Sequence, residues 1–361
     1  MTDLTGGDPE QAIRLFFSMD LSGASKYKYS HPPAEIFRSD ENSWPSFFIE
    51  FFNQSGATFW DNMRRSCDQN AHGFYPIEFW KTLGDEILFF STQTSEEQPY
   101  WQLRAFLLTV QQLHRKVQEY TSLQLGVKGV IWSAGFPIRN KRLFLDQSNG
   151  TSVYEGDEET LEIQTGARPA PGAVVDFMGL EMDQGFRLAS HAVPGRVVAS
   201  PDACYLAAKA YSKIDAGRAA VFKRGAAVEG LVDSAPEFRV LQVGWESLRG
   251  VLGDLPVPIL WPECVKSDFD EVGKRQLPYS FDSGRSKYWS SYLHQRPLSA
   301  REFRDFFEHW NSDLEVHGVS HIKPYVKANK LMDEGHKLAW DKARQTAARP
   351  EPTIISMGDK K

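Results

Sequence analysis

The chain has 361 residues, 41% of them apolar and 13% aromatic, enough to bury a sizeable core in one or two domains. A formal net charge of −6 argues against binding nucleic acid through its phosphates and gives no membrane-surface signature. The three cysteines, Cys67, Cys204 and Cys264, are scattered, and the nine histidines form no ligand-spaced pair, which excludes a disulfide framework and a His/Cys metal site and fits a reduced, cytoplasmic compartment.

The opening MTDLTGGDPEQAI has neither a basic nor an apolar leader region, so no signal peptide is expected, and no apolar run is long enough for a membrane span. Residues 13–20, IRLFFSMD, read as a buried strand that ends in an acid. LSGAS follows with turn and cap chemistry. Residues 46–66 are helical in composition and aromatic on one side. FYPIEFWKTLG and EILFF read as two strands joined through Gly84 and Asp85. Residues 102–123 form an amphipathic helix, and GVKGVIWSAGF, 126–136, a further strand.

Residues 139–172 are a polar insert, read as loop with a short hairpin. Residues 173–192 run from a strand-like start into a helix. GRVVAS is a short strand, SPDACYLAAKAY opens a helix, and RVLQVGW is a late strand. After about residue 250 the texture changes: a Pro-rich LPVPILWPE precedes two helical-looking stretches, 299–318 and 323–345, and a polar tail. The reading divides the chain into 1–250, with a motif-bearing core at about 12–210, and a mostly helical extension over 251–361. The order β-α-β-β-α-β at the start predicts an α+β fold of the ferredoxin-like kind.

In such a sheet the ends of the first strand and of the second–third hairpin lie side by side, bringing Asp20 and Asp85 together. Carboxylates crowded without a nearby His or Cys are hard oxygen ligands that suit Mg²⁺ or Mn²⁺ shared with substrate phosphates. A cation also offsets their mutual repulsion. Gly23 and the neighbouring amides could cradle phosphate, with Lys26 and Lys28 adding charge. The plainer alternative makes Asp20 a helix cap and Gly84–Glu86 an ordinary exposed turn. Asp183 and Arg187, four apart, share one helix face; the plainer alternative there is an intrahelical ion pair.

FFSMDLSGAS, KTLGDEILFF and VVDFMGLEMDQGFRLASHAVPGRVVAS together resemble the class III nucleotidyl cyclase catalytic domain, in that family's order. The resemblance implies a ferredoxin-like domain, a homodimer with active sites shared across its interface, and two Mn²⁺ or Mg²⁺ ions per site. Asp20 and Asp85 match the metal acids, and the carbonyl of Leu21 a backbone ligand. Ser22, Gly23, Ala24 and Ser25 match the phosphate-binding turn. Arg187 matches the transition-state arginine. Asp183 stands where the family has a ribose-positioning Asn, and Asp176 matches the acid that reads the base in adenylyl cyclases.

Phe79 is read at the position where purine cyclases carry a polar base reader, Lys or Glu, and it departs from that pattern. For the late phosphate-binding cation only Lys223 or Arg224 offer themselves. With a solo catalytic domain and DLSGAS, the chain looks most like the pyrimidine cyclases of bacterial Pycsar antiphage systems. That implies UTP as substrate and cyclic UMP as product, with a cyclic-nucleotide-responsive effector as downstream partner. The alternatives are CTP, a purine cyclase, and an inactive cyclase-like binding or dimerisation module.

Overall fold

A computed structural model describes residues 12–30, 44–68, 75–122, 124–137, 139–146, 152–155, 174–223, 237–265 and 296–316. β1 (Ala12–Ser22) leads through a short α1 (Ala24–Ser30) to α2 (Trp44–Asp68). The hairpin β2 (Glu78–Leu83) and β3 (Glu86–Thr92) is followed by α3 (Gln98–Tyr120) and β4 (Gly126–Phe136). These four strands lie in the order β4-β1-β3-β2, every neighbouring pair antiparallel, as a ferredoxin-like unit requires. The fold is α+β.

The polar insert does contain a hairpin: β5 (Asn140–Asp146) and β6 (Ser152–Glu155). With β7 (Val174–Gly179) they form a separate three-stranded sheet in the order β6-β5-β7. α4 (Leu180–Leu188) follows β7 directly. β8 (Val197–Ala199) runs parallel to β4 and feeds α5 (Pro201–Lys223). β9 (Glu237–Ser247), β10 (Pro256–Val265) and β11 (Leu298–Ser299) complete an eight-stranded sheet, and α6 (Ala300–Val316) follows.

β10 differs from expectation. The Pro-rich segment is not the start of a helical extension but an interior strand, lying between β9 and β8. Proline cannot donate into a ladder. Pro256, Pro258 and Pro262 are tolerated because β8 is short and meets β10 at Leu260 alone, whereas β9 pairs along the whole strand. α6 also belongs to the main body: Phe303, Phe307 and Trp310 join the core that holds α5. The expected helix over 323–345 lies outside the described residues.

Strand alternation divides the core into two layers. On β1, Ile13, Leu15, Phe17, Met19 and Leu21 face the side covered by α2, α3 and α5. Phe16 faces the other side, at the centre of an aromatic cluster. Its ring stacks on Trp132 at 5.3 Å and meets Phe177 edge-on at 5.1 Å. Arg14, Ser18 and Asp20 share this second face by the same alternation, and their partners confirm it: Arg14 lies over the Phe136 ring at 4.7 Å.

Candidate active site

Asp20 sits near the end of β1, directly opposite Glu86 of β3 and Lys128 of β4. Lys128, Asp20 and Glu86 thus form a row across three adjacent strands on the second face. Lys128 Nζ lies 3.0 Å from Asp20 Oδ2, and both side chains are about three-quarters covered. Ser18, two residues back on β1, donates its hydroxyl to Glu86 Oε1. Burial pushes the Glu86 carboxyl above its ordinary range against the pull of the Ser18 hydrogen bond, and the charges of Asp20 and Asp85 push the same way.

Asp85 is the second residue of the tight β2–β3 loop, which the Leu83–Glu86 pair closes. Gly84 precedes it at φ +66°, a left-handed conformation that a Cβ would strain. Asp20 and Asp85 both come within electrostatic range of Glu86. Among the described residues no three His, Cys, Asp or Glu side chains are grouped as a metal cage. Two acids with the backbone of Leu21 still fit an ion that takes one or two carboxylates and completes its shell with water and phosphate oxygens.

The turn after β1 starts inside the strand, since Ser22 is its last residue. Gly23 adopts φ +90°, and a Cβ there would stand 2.8 Å from the carbonyl oxygen of Gln124. Its own carbonyl accepts from the Tyr27 N–H at 3.0 Å, which opens α1. Ala24 is buried, whereas Ser25 and Lys26 are exposed. Lys28 is directed elsewhere: its ammonium lies over Phe48 at 4.7 Å and Trp44 at 5.5 Å of α2. Arg224 and the side chain of Lys223 lie outside the described residues.

α4 is held on the second face by a buried clasp. Asn140 Oδ1 accepts the N–H groups of Glu181 at 3.2 Å and Met182 at 3.4 Å, capping the helix from β5. Its amide also donates to Glu181 Oε2 and, at 3.0 Å, to the Gly135 carbonyl. Arg139 pairs with Glu181 at 2.8 Å. Gly179, at φ +145°, has no room for a Cβ beside Arg139 and Asn140. Gly185 lies flat on the Trp132 indole, where a Cβ would approach to 2.3 Å. This packing leaves Asp183 and Arg187 exposed on the outer side of α4. Among the described residues the two form no ion pair with each other, and none joins Arg187 to Asp20 or Asp85.

Asp176, on β7, has a partner that sequence reasoning passed over. Lys81 Nζ lies 2.7 Å from Asp176 Oδ1 and 4.3 Å above the Trp80 ring. The Phe177 N–H donates to the same carboxylate at 2.9 Å, and the Trp80 indole donates to the Val175 carbonyl at 3.2 Å. A bulge at Trp80 makes this possible. Phe79 pairs with Phe89 whereas Lys81 pairs with the adjacent Leu88, so the strand's alternation shifts by one. Phe79 consequently stands on the helix-covered side, 59% exposed, with its ring edge-on to Phe89 at 6.2 Å. It is Lys81, not Phe79, that meets Asp176 on that side of the sheet.

No protein-family model matches the sequence, and no curated protein does. Solved structures do show likenesses. The adenylyl cyclase CyaB from P. aeruginosa aligns at 13% identity over 73% of this chain and 100% of its own, with a TM-score of 0.39. The guanylate cyclase domain of RhGC from Catenaria anguillulae, in complex with GTP, aligns at 10% identity over 72% and 100%, with a TM-score of 0.36. An adenylate cyclase from Trypanosoma brucei in its monomeric state aligns at 14% over 72% and 91%, at 0.34. Likenesses of this strength carry no activity or substrate over to this chain. No described helix is long and apolar enough to cross a membrane.

Proposed function

We propose that this chain is a nucleotidyl cyclase that closes a ribonucleoside triphosphate into its 3′,5′-cyclic monophosphate and releases pyrophosphate. One observation carries the reading: Asp20 and Asp85 both act electrostatically on Glu86, at one end of the sheet whose second face also carries Lys81, the partner of Asp176. Asp20, Asp85 and the Leu21 carbonyl would hold two Mg²⁺ or Mn²⁺ ions. When bound, these ions supply charge neutralisation for the attacking 3′-oxygen and the departing pyrophosphate. The turn Ser22–Ser25 would take phosphate oxygens on its amides and hydroxyls. Arg187, exposed and without an ion-pair partner among the described residues, would stabilise charge growing on the α-phosphoryl oxygens. Asp183 would accept from the ribose. Acids and arginine act across two copies of the chain, each site taking its acids from one and its Arg187 from the other.

The Lys81–Asp176 pair is the proposed base reader. An ammonium donor beside a carboxylate acceptor suits a base edge that offers an acceptor beside a donor. Adenine and cytosine do so through a ring nitrogen and an exocyclic amine. Lys81 and Asp176 would take the parts of the Lys reader of purine cyclases and the base-reading acid of adenylyl cyclases, so ATP is the first substrate to test. UTP stays as the second reading because uracil also fits the pair, O4 accepting from Lys81 and N3–H donating to Asp176. The pyrimidine expectation built on Phe79 loses its footing, since Phe79 faces the helix side. A cyclic UMP product would imply the effector-linked antiphage role of the Pycsar cyclases. The test is turnover of ATP, GTP, CTP and UTP by purified protein with Mn²⁺, with products resolved by chromatography. Cyclic AMP as main product supports the base assignment, cyclic UMP moves the chain to the second reading, and no cyclic product from any of the four sinks the cyclase.

A further inference from the structure

The acid row contains a cation of its own. Lys128 Nζ lies 3.0 Å from Asp20 Oδ2, and register fixes the pair, because Lys128 and Asp20 are direct cross-strand partners near the start of β4 and the end of β1. Beyond Asp20 on the neighbouring strand stands Glu86, which also feels the charges of Asp20 and of Asp85 at the loop. Glu86 is engaged by the Ser18 hydroxyl, and among the described residues the ion-pair contact of the ammonium is to Asp20. Its side chain is only 21% exposed, which keeps solvent from screening the pair fully.

We propose that Lys128 is a resident counter-cation that keeps Asp20 from holding a divalent ion until a metal-bound triphosphate arrives. The inference rests on the assignment of Asp20 as a metal ligand. An ion approaching the nucleotide-free protein meets a carboxylate whose charge is already offset, and it must displace the ammonium from Asp20. A triphosphate changes the balance. It brings anionic oxygens within reach, and a lysine ammonium has three donors on a flexible stem that can move to them. Asp20 is then released to the metal in the same event. The protein would therefore load ion and nucleotide together and remain nearly metal-free between turnovers.

The experiment titrates Mn²⁺ into nucleotide-free protein and follows the free-ion signal by electron paramagnetic resonance. Lys128→Gln is expected to bind Mn²⁺ at least about tenfold more tightly than wild type, since a unit charge at ion-pair distance is removed. The double variant Asp20→Asn/Lys128→Gln should fall back to wild-type weakness, which locates the gain at Asp20. A lysine with only a structural role would lower the melting temperature and leave Mn²⁺ affinity unchanged, and that result overturns the proposal. Where Lys128→Gln does not fold, Lys128→Met, which keeps an unbranched stem, is read the same way. Tighter Mn²⁺ binding in a protein that cyclises no nucleotide would sink the cyclase reading and leave this one standing. Cyclisation without any gain in Mn²⁺ binding would do the reverse.

Discussion

Lys81 meets Asp176 and the Trp80 ring at once, which fixes its ammonium without burying it. Lys81→Met should keep the fold and lower kcat/KM for the preferred nucleotide by about tenfold or more, mostly through KM, because one base hydrogen bond is lost. Steady-state kinetics on the four nucleotides check this, and an unchanged order of preference would contradict the base assignment. Asp20→Asn and Asp85→Asn keep side-chain shape and remove the charge that holds a cation. Each is expected to abolish cyclisation with an unaltered circular dichroism spectrum; wild-type turnover by either would remove it from the metal site. These acids were legible in the sequence because one ends an apolar run and the other follows Gly84 at a hairpin tip. Lys81 was not. Regular alternation puts residues 79 and 81 on one face, and a bulge of one residue at Trp80 reverses that without leaving a compositional mark.

At the scale of the element, α4 depends on two glycines and a clasp from β5. Gly185→Ala drives a methyl into the Trp132 ring and should cost about 1–3 kcal/mol of stability by overpacking. It should also impair turnover by lifting Arg187 from its position. Denaturant unfolding and kinetics on one preparation test both, and a variant with wild-type stability would show that α4 shifts freely. α6 opens with a capping box: Glu302 N–H donates to Ser299 Oγ at 3.3 Å, and Glu302 Oε2 accepts the Ser299 N–H and hydroxyl at 2.8 Å each. Those bonds from Ser299, with the paired Arg296 after them, lower the Glu302 carboxyl from 4.5 to about 2. A carboxyl lowered by folding stabilises the native state above its unfolded value, and that contribution fades as pH falls toward its folded value. Glu302→Gln should therefore melt below wild type at neutral pH, with the gap closing between about 4.5 and about 2. A gap that stayed constant on acidification would contradict the capping role. The box is visible in the sequence as SARE, as the β1–β4 unit is visible in its alternating runs. β10 was hidden, because three prolines in ten residues speak against a strand and the shortness of its neighbour β8 cannot be read from β10 itself.

For the whole molecule, the proposal of sites shared between two copies has a direct test. Asp85→Asn and Arg187→Ala, each inactive alone, should regain activity when mixed, through the one intact site of a mixed pair. Consistent failure with subunit exchange demonstrated would mean that each copy is self-sufficient or that the roles are misassigned. The sheet itself imposes a different constraint, on the order in which the chain can be made. β10 is threaded between β8 and β9, both earlier in the chain, and β11 caps the outer side of β9. Until residue 265 has been synthesised, β8 has one unpaired edge and β9 has no partner at all, so the nascent chain carries open strand edges beside an apolar core. A chain stopped near residue 250 would be left in that condition permanently. It should sediment as aggregate, not as a monomer or dimer, and a termination or cleavage at that point would yield no working remnant.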